Sequence, residues 1–376
     1  MKHIKAHVRN ITEKVFNRIV QRMSTIVSIP TSNRYNALYG GSELQAALIE
    51  LAISGGYPES GMQRLAAESG GRVPSGSWLR KGIVRVPEAR MEAMLDAGLQ
   101  FTMDELKKRG LFNMPVMVAV DKHKVARYDH DNDHGYLAGG KHERGTSRYE
   151  IYITAQCVEE GMRAQLACQH VKALDDNADL MTSLLNDVRL NEIDVSLLLM
   201  DREFFSTSVV LRLNKLNQPF LMPCVRRKGI IEALREFSSG RRGSASNYTM
   251  RGADGTADIR LVVVPGADGR PLPFATNLPE DRVLWNLYII PKEYRRRWGI
   301  ETGYIGVEEL RARTTSRNHS LRLLLFYYGQ ILYNIWLLIN LMIAEEFFRR
   351  LKTSMMHLAV LKGLLHSFIV KGFSGG

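Results

Sequence analysis

The sequence predicts an α/β fold preceded by an all-helical N-terminal region. Two short apolar runs, PVMVAVD (115–121) and VSLLLMD (195–201), are typical of strands that are buried on both faces. Between them lie the alternating strand RYEIYITAQCV and a predicted helix at about 174–190. A further helix, FFSTSVVLRLNKLN, and a strand, FLMPCV, follow. This alternation of strands and helices indicates an α/β domain.

The N-terminal residues, 1 to about 110, have a helical pattern. Apolar residues recur at three- and four-residue intervals from Ile4 to Ile19, with basic residues between them, which predicts a basic amphipathic helix. Further helices are predicted from Ser42 to Gly55 and up to Gly70. Short basic helices separated by glycine turns resemble a helix-turn-helix DNA-binding unit. A helical cap with a hydrated basic face is the alternative.

Charge and cysteine content limit the classes of function. The 376 residues include 51 Lys and Arg against 39 Asp and Glu, a formal net charge of +12, which favours a polyanionic partner. The three cysteines form no CxxC pair, which argues against a disulfide framework and a cysteine-rich zinc module. Walker A and GxGxxG motifs and a GxSxG elbow between a strand and a helix are missing, so the sequence gives no support for an ATPase, a dehydrogenase or a serine hydrolase. The basic N-terminus has no apolar signal-peptide core, and we expect a cytoplasmic protein.

Composition divides the rest of the chain. Residues 226–286 are rich in Gly, Ser and Asp, with short predicted strands at YTMRG, IRLVVV and PFATN, and so predict a β-rich insertion. The uncharged segment 323–344 is long enough to cross a membrane, but it contains Gln330, Asn334 and Asn340, which favours a buried helix and no membrane partner. The predicted units are 1–110, 111–225, 226–286, 287–345 and a C-terminal helical tail, 346–376.

Three acidic residues are candidates for chemistry. Asp121 and Asp201 each come directly after a predicted buried strand, at the sheet edge where α/β proteins bind their ligands. Glu301 lies on a helix predicted to begin at Pro291, and Tyr294 and Arg297 share its face. Aromatic and basic residues in this segment can stack on bases and bind phosphates: Tyr294, Arg295, Arg296, Arg297, Trp298, Arg311 and Arg313.

These residues resemble the DDE transposases of bacterial and archaeal insertion sequences. The resemblance rests on Asp121, Asp201 and Glu301 in order and on the spacing Tyr294-x2-Arg297-x3-Glu301, and it covers about residues 115–340. The DREFF segment at Asp201 and the strand ending in Thr276-Asn277-Leu278 match the family as well. The family signature continues with a lysine six residues beyond the glutamate, where this chain has Glu308.

The resemblance implies a ribonuclease H-like catalytic core, in two parts (111–225 and 287–345), interrupted by the β-rich insertion and preceded by a DNA-binding region. It also implies two Mg²⁺ or Mn²⁺ ions, both held by Asp121, with Asp201 and Glu301 each completing one site. The implied activity is hydrolysis of DNA at transposon ends, followed by strand transfer into target DNA. The implied partners are transposon-end and target DNA, bound by a dimer at the nucleoid.

Two other functions stay open at this point. A catalytically inactive or domesticated transposase would bind DNA without cutting it, and Glu308 in place of the signature lysine leaves room for that. A stand-alone nuclease with the same core would cut DNA without joining it. The acidic and histidine-rich loop 127–134 lacks the spacing of a known metal motif, and we expect a hydrated loop there.

Overall fold

The structure, a computed structural model, describes residues 2–30, 39–128, 138–143, 145–235, 243–266, 268–284, 287–347 and 355–375. Its N-terminal part is helical, with α1 (Lys2–Ile26), α2 (Gly41–Ser54), α3 (Pro58–Ser69), α4 (Gly76–Ile83) and α5 (Glu88–Lys107). Helix α2 ends where Gly55 adopts a left-handed conformation with φ of 59°, which glycine tolerates without strain.

Strands and helices alternate in the middle of the chain. The elements are β1 (Val116–Arg127), β2 (Ala138–Glu143), β3 (Thr146–Cys157), β4 (Gln165–Val171), α6 (Asn177–Leu190), β5 (Val195–Met200), α7 (Thr207–Lys215), β6 (Phe220–Pro223), α8 (Lys228–Arg235), β7 (Ser244–Gly252), β8 (Gly255–Pro265) and β9 (Pro271–Thr276). Helices α9 (Glu280–Leu284), α10 (Ile289–Arg295), α11 (Trp298–Glu309), α12 (His319–Glu346) and α13 (Leu358–Ser374) follow. The predicted α/β class is therefore confirmed at the level of a mixed α/β protein.

The described strands form one nine-stranded mixed sheet. Its order is β2-β3-β1-β5-β6-β9-β8-β7, and β4 also pairs with β3. Strands β1, β5 and β6 are parallel, and β3 runs antiparallel to β1. Alternate residues of β1 belong to different apolar clusters, because Val118 and Val120 pack on one face and Ala119 on the other. The sheet is therefore buried on both faces around β1 and β5.

The structure corrects two details of the sequence analysis and shows how the strands of 226–286 join the sheet. Strand β1 does not end before Asp121, because Asp121 pairs with Thr154 and the strand continues to Arg127. The region 226–286 contains β7, β8 and β9, and β9 pairs with β6, so these strands extend the central sheet. The helix expected from Pro291 is interrupted between α10 and α11, where Arg296 and Arg297 make tighter, three-residue backbone turns.

The long apolar helix α12 lies inside the protein. Of the described helices it alone has the length and composition to cross a membrane, and 94% of its most apolar window is buried within the structure. Asn334 binds the backbone of Gln165 and the hydroxyl of Thr102, as expected for a polar residue on a core helix. Helices α1 and α13 contribute to the same apolar cluster as α12, so both ends of the chain share its core.

Candidate active site

The first two acidic residues lie side by side at neighbouring strands. Val120 of β1 pairs in parallel with Met200 of β5, and Asp121 and Asp201 are the next residues of each chain segment. Alternate residues of a strand point to the same face of the sheet, so Asp121 shares the face of Ala119. By the same alternation, Asp201, which directly follows β5, lies on the face of Leu199. Asp201 also caps a short 3₁₀ turn (Arg202–Phe204) by accepting a hydrogen bond from the backbone N–H of Arg202 at 2.7 Å.

Helix α11 brings Glu301 to the same face of the sheet. Ile300 and Tyr304 of this helix pack in the apolar cluster that contains Ala119 and Leu199. The helix approaches β3 closely at Gly303, where a Cβ atom would collide with the side chain of Gln156. Glycine at this position therefore leaves room for the Gln156 side chain where α11 packs against β3, two residues after Glu301.

Arg297 connects Asp121 to Glu301. Its guanidinium donates to Asp121 Oδ2 at 3.0 Å and to Glu301 Oε1 at 2.6 Å. The Arg297 side chain is only 10% exposed, whereas that of Glu301 is 55% exposed. Burial alone would lower the pKa of Arg297, but Tyr294 and the carboxylates Asp121, Asp201 and Glu301 raise it above its usual value. We call Asp121, Asp201 and Glu301 the acidic site.

Burial and neighbouring charges perturb Asp121. Burial is the main cause that raises the pKa of this carboxyl to about 6; the charge of Arg297 and the Lys122 N–H oppose it, whereas Glu203 and Asp201 add to it. A carboxyl whose pKa is raised by burial and by like charges gains from a nearby cation, because the cation favours its ionised form. Perturbed carboxyls of this kind concentrate at functional sites.

Two residues that the sequence analysis missed belong to this environment. Glu203 lies two residues after Asp201 in the DREFF segment, and its negative charge raises the pKa of Asp121. Tyr304, three residues after Glu301, donates its hydroxyl to the backbone oxygen of Asp121 at 3.1 Å and contacts the hydroxyl of Thr154 at 2.6 Å. The spacing of Tyr304 from Glu301 along one helical face was the available signal.

Glu308, at the position of the family lysine, is held by two basic side chains. His123 Nε2 lies 2.9 Å from Glu308 Oε1, and Arg311 donates to Glu308 Oε2 at 2.7 Å. Burial would raise the pKa of Glu308, but the hydrogen bond to His123 and the charge of Arg311 outweigh it and lower this pKa to about 2. Arg311 is therefore engaged with Glu308, and Arg313 is the more exposed of the two arginines.

The other residues expected to bind DNA divide into exposed and internally paired groups. Arg295 and Trp298 are exposed. Arg296 forms ion pairs with Glu159 at 2.8 Å and with Glu293 at 3.6 Å. Tyr294 packs against Phe274, and burial raises the pKa of its hydroxyl to about 12. Exposure thus leaves Arg295, Trp298 and Arg313 the most accessible of the predicted set.

In this structure the guanidinium of Arg297 lies between Asp121 and Glu301 and binds both carboxylates. Within the described residue ranges, no three His, Cys, Asp or Glu side chains are grouped so as to hold a metal ion. The chemistry of the donors nevertheless fits a hard divalent cation, because Asp121 and Glu301 already converge on one cationic group and Asp201 lies beside Asp121. Residues 129–134 of the acidic loop lie outside the described residues.

Comparison with known proteins shows a similarity of fold to a solved structure. No family model and no curated protein matches the chain. A cryo-EM structure of the piggyBac transposase synaptic complex with hairpin DNA matches it with a TM-score of 0.58, over 98% of this chain and 80% of that one. The sequences are 10% identical, so the match concerns the fold. The chain is therefore a mixed α/β protein that is similar in fold to a transposase.

Proposed function

We propose that this chain is a DDE transposase of the insertion-sequence type, which cuts DNA at the ends of a transposon and joins them to target DNA. The observation that carries the proposal is the convergence of Asp121 and Glu301 on Arg297, with Asp201 directly after β5, the parallel strand next to β1. Three carboxylates, one within β1, one directly after the parallel strand β5 and one on α11, support a phosphodiester-cleaving site within a transposase-like fold.

The order of the elements supports a ribonuclease H-like core within the proposed transposase. Strands β1, β3 and β4 are antiparallel neighbours, α6 follows, and β5 and β6 then run parallel to β1. Strands β7, β8 and β9 lie between Asp201 and Glu301 in the chain, where the family carries its β-rich insertion. The five units predicted from composition remain part of this proposal.

In this proposal, Asp121, Asp201 and Glu301 hold Mg²⁺ or Mn²⁺. The bound cations would activate the attacking oxygen and stabilise the leaving oxygen of an in-line displacement at phosphorus. Arg297 orients Asp121 and Glu301 through its hydrogen bonds in the cation-free state, and its guanidinium is then available to a DNA phosphate when it leaves them.

The charge distribution supports DNA as the substrate. Exposed basic residues occur in the N-terminal region at Arg72, between α3 and α4, and at Arg80 and Lys81 on α4, and near the acidic site at Arg295 and Arg313. Such residues bind the phosphate backbone without reading base sequence, and their contribution decreases steeply with salt. The N-terminal helices would bind transposon ends, a dimer would hold two ends together, and the protein would act in the cytoplasm at the nucleoid.

A cleavage assay tests the proposal. The substrate is genomic DNA that spans the gene and its flanking ends, incubated with Mg²⁺ or Mn²⁺ and with wild type or Asp201→Asn. Wild type should cut the ends and give joined donor–target product, and the variant should give neither. Cutting without joining would identify a nuclease. DNA binding with equal, background cleavage by both proteins would identify a binding protein without catalysis and would refute the enzyme proposal.

A further inference from the structure

A second concave site lies beside the acidic site. It is a groove of about 510 Å³ between the turn that precedes α3, the end of β1 and the segment that follows α11. Its lining includes Tyr57, His123, Lys124, Tyr128 and Arg313. We call it the tyrosine groove. Its volume is that of a site for one small ligand, and it is too small for a DNA duplex.

The groove presents aromatic rings and positive charge together. Tyr57 and Tyr128 are 46% and 64% exposed. Lys124 and Arg313 are exposed as well. Among the other charged lining residues, Arg311 is paired with Glu308 and Arg322 with Glu150, and Glu143 adds one negative charge. The two positive charges of Lys124 and Arg313 therefore outnumber the single negative charge of Glu143.

The groove is connected to the acidic site through the sheet. His123 lies two residues after Asp121 in β1, a distance of about 7 Å along a strand. The rings of His123 and Tyr304 are 4.5 Å apart, and Tyr304 binds the backbone oxygen of Asp121. The opposite wall is fixed by the backbone N–H of Arg313, which donates to the oxygen of Gly56 at 3.0 Å.

We infer that the tyrosine groove binds an unpaired nucleotide of the DNA strand that enters the acidic site. Tyrosine rings stack on bases that are free of a partner strand, and lysine and arginine bind the phosphates between them. In duplex DNA the base faces are already stacked, so the exposed rings favour single-stranded DNA over double-stranded DNA. This inference rests on the proposed function and specifies which form of DNA the site holds.

A binding experiment on the full-length protein tests the inference. The probes are a blunt fluorescent duplex and the same duplex with a short single-stranded tail. Wild type should bind the tailed duplex more tightly. Tyr57→Ala should lower the affinity for the tailed duplex about tenfold, because one base–aromatic stack is lost. The affinity for the blunt duplex should stay unchanged. Tyr288→Ala, which removes an exposed tyrosine outside the groove, is the matched control and should retain the gain.

Lys124→Ala provides a second, independent variant. Loss of one phosphate contact should reduce the slope of log affinity against log salt for the tailed duplex by about 0.7. Lys215→Ala, an exposed lysine on α7 outside the groove, should leave the slope unchanged.

The outcomes separate this inference from the proposed function. If wild type binds neither probe, the proposed function is wrong. If wild type binds the blunt duplex and gains nothing from the tail, or if Tyr57→Ala and Tyr288→Ala reduce the gain equally, the inference about the groove is wrong while DNA binding stands.

Discussion

The hydroxyl of Tyr304 donates a hydrogen bond to the backbone oxygen of Asp121 at 3.1 Å. Tyr304 lies three residues after Glu301 on α11, and Asp121 lies within β1. This bond, with the contact between Tyr304 and Thr154, fixes the helix of one proposed catalytic carboxylate to the strand of another. The relative position of Asp121 and Glu301 therefore depends on a residue that carries no charge itself.

Tyr304→Phe should lower DNA cleavage about tenfold, because the ring still packs but the tie to Asp121 is lost. The stability cost of the buried hydrogen bond should be about 1 kcal/mol. Tyr328→Phe is a matched control, since its hydroxyl binds Gln45 at 2.6 Å in another part of the core. The control should lose similar stability and keep its cleavage rate. Equal loss of cleavage in both variants would contradict a positioning role for Tyr304.

Introducing the lysine of the resembled transposase signature with Glu308→Lys should not increase activity. The new ammonium would lie beside His123 and Arg311, which now bind the carboxylate, so we expect destabilisation of about 1 kcal/mol. The double variant Glu308→Lys/Arg311→Glu should recover most of the lost stability, because the two opposite charges exchange places and can still pair. Urea unfolding of both variants measures this. A single variant as stable as wild type would contradict the described pairing.

The position of the acidic residues could be predicted only in part from the sequence. Asp201 was correctly expected after its strand, because VSLLLM is apolar up to Met200 and a polar segment follows. The polar run from Asp121 to Lys124 has the composition of a loop, yet it continues β1, because β3 supplies a partner for each of its residues. Pairing between segments distant in the chain overrides local composition here.

Contacts between distant segments of the chain also explain why the sequence did not predict how the β-rich region joins the sheet or which residues Arg297 binds. The strands of 226–286 were predicted individually, but the pairing of Leu221 with Thr276 that joins them to the central sheet has no local signal. Arg297 was expected to face DNA because its segment is basic. Its contact with Asp121 spans 176 residues of sequence and depends on the packing of α11 against the sheet.

Glu150 should make the stability of the fold sensitive to acid. It is fully buried and paired with Arg127, Arg322 and His319. Burial would raise its pKa, but the hydrogen bond to His319 and the charge of Arg322 lower it from 4.5 to about 2. A lowered carboxyl pKa stabilises the folded state above pH 4.5, and this contribution is lost as the pH falls towards 2.

Glu150→Gln should therefore destabilise the protein by about 3 kcal/mol at neutral pH, since it leaves buried cations without their partner. The difference from wild type should shrink as the pH falls below about 4.5. Denaturant unfolding across this range measures it, with exposed Glu160→Gln as the control that should follow wild type. A difference that is constant with pH would show that the carboxylate charge is not responsible.

Gln330 offers a stabilising substitution. It is fully buried on α12, and neither of its amide atoms has a hydrogen-bond partner among the residues that the structure describes. Gln330→Met has a similar shape without the cost of desolvation, and should raise the free energy of unfolding by about 1 kcal/mol. Asn334→Met on the same helix removes an amide with three hydrogen bonds and should lower it. Destabilisation by both changes would mean that Gln330 is satisfied.

The central claim is that the acidic site cleaves DNA with a divalent cation. The most direct test compares two glutamates of α11, Glu301 and Glu309, both exposed and only the first bound to Arg297. The measurement is the rate of Mg²⁺- or Mn²⁺-dependent cleavage at the DNA ends of the element. The account predicts that Glu301→Gln abolishes cleavage and Glu309→Gln retains it. Equal rates for Glu301→Gln and wild type would contradict it.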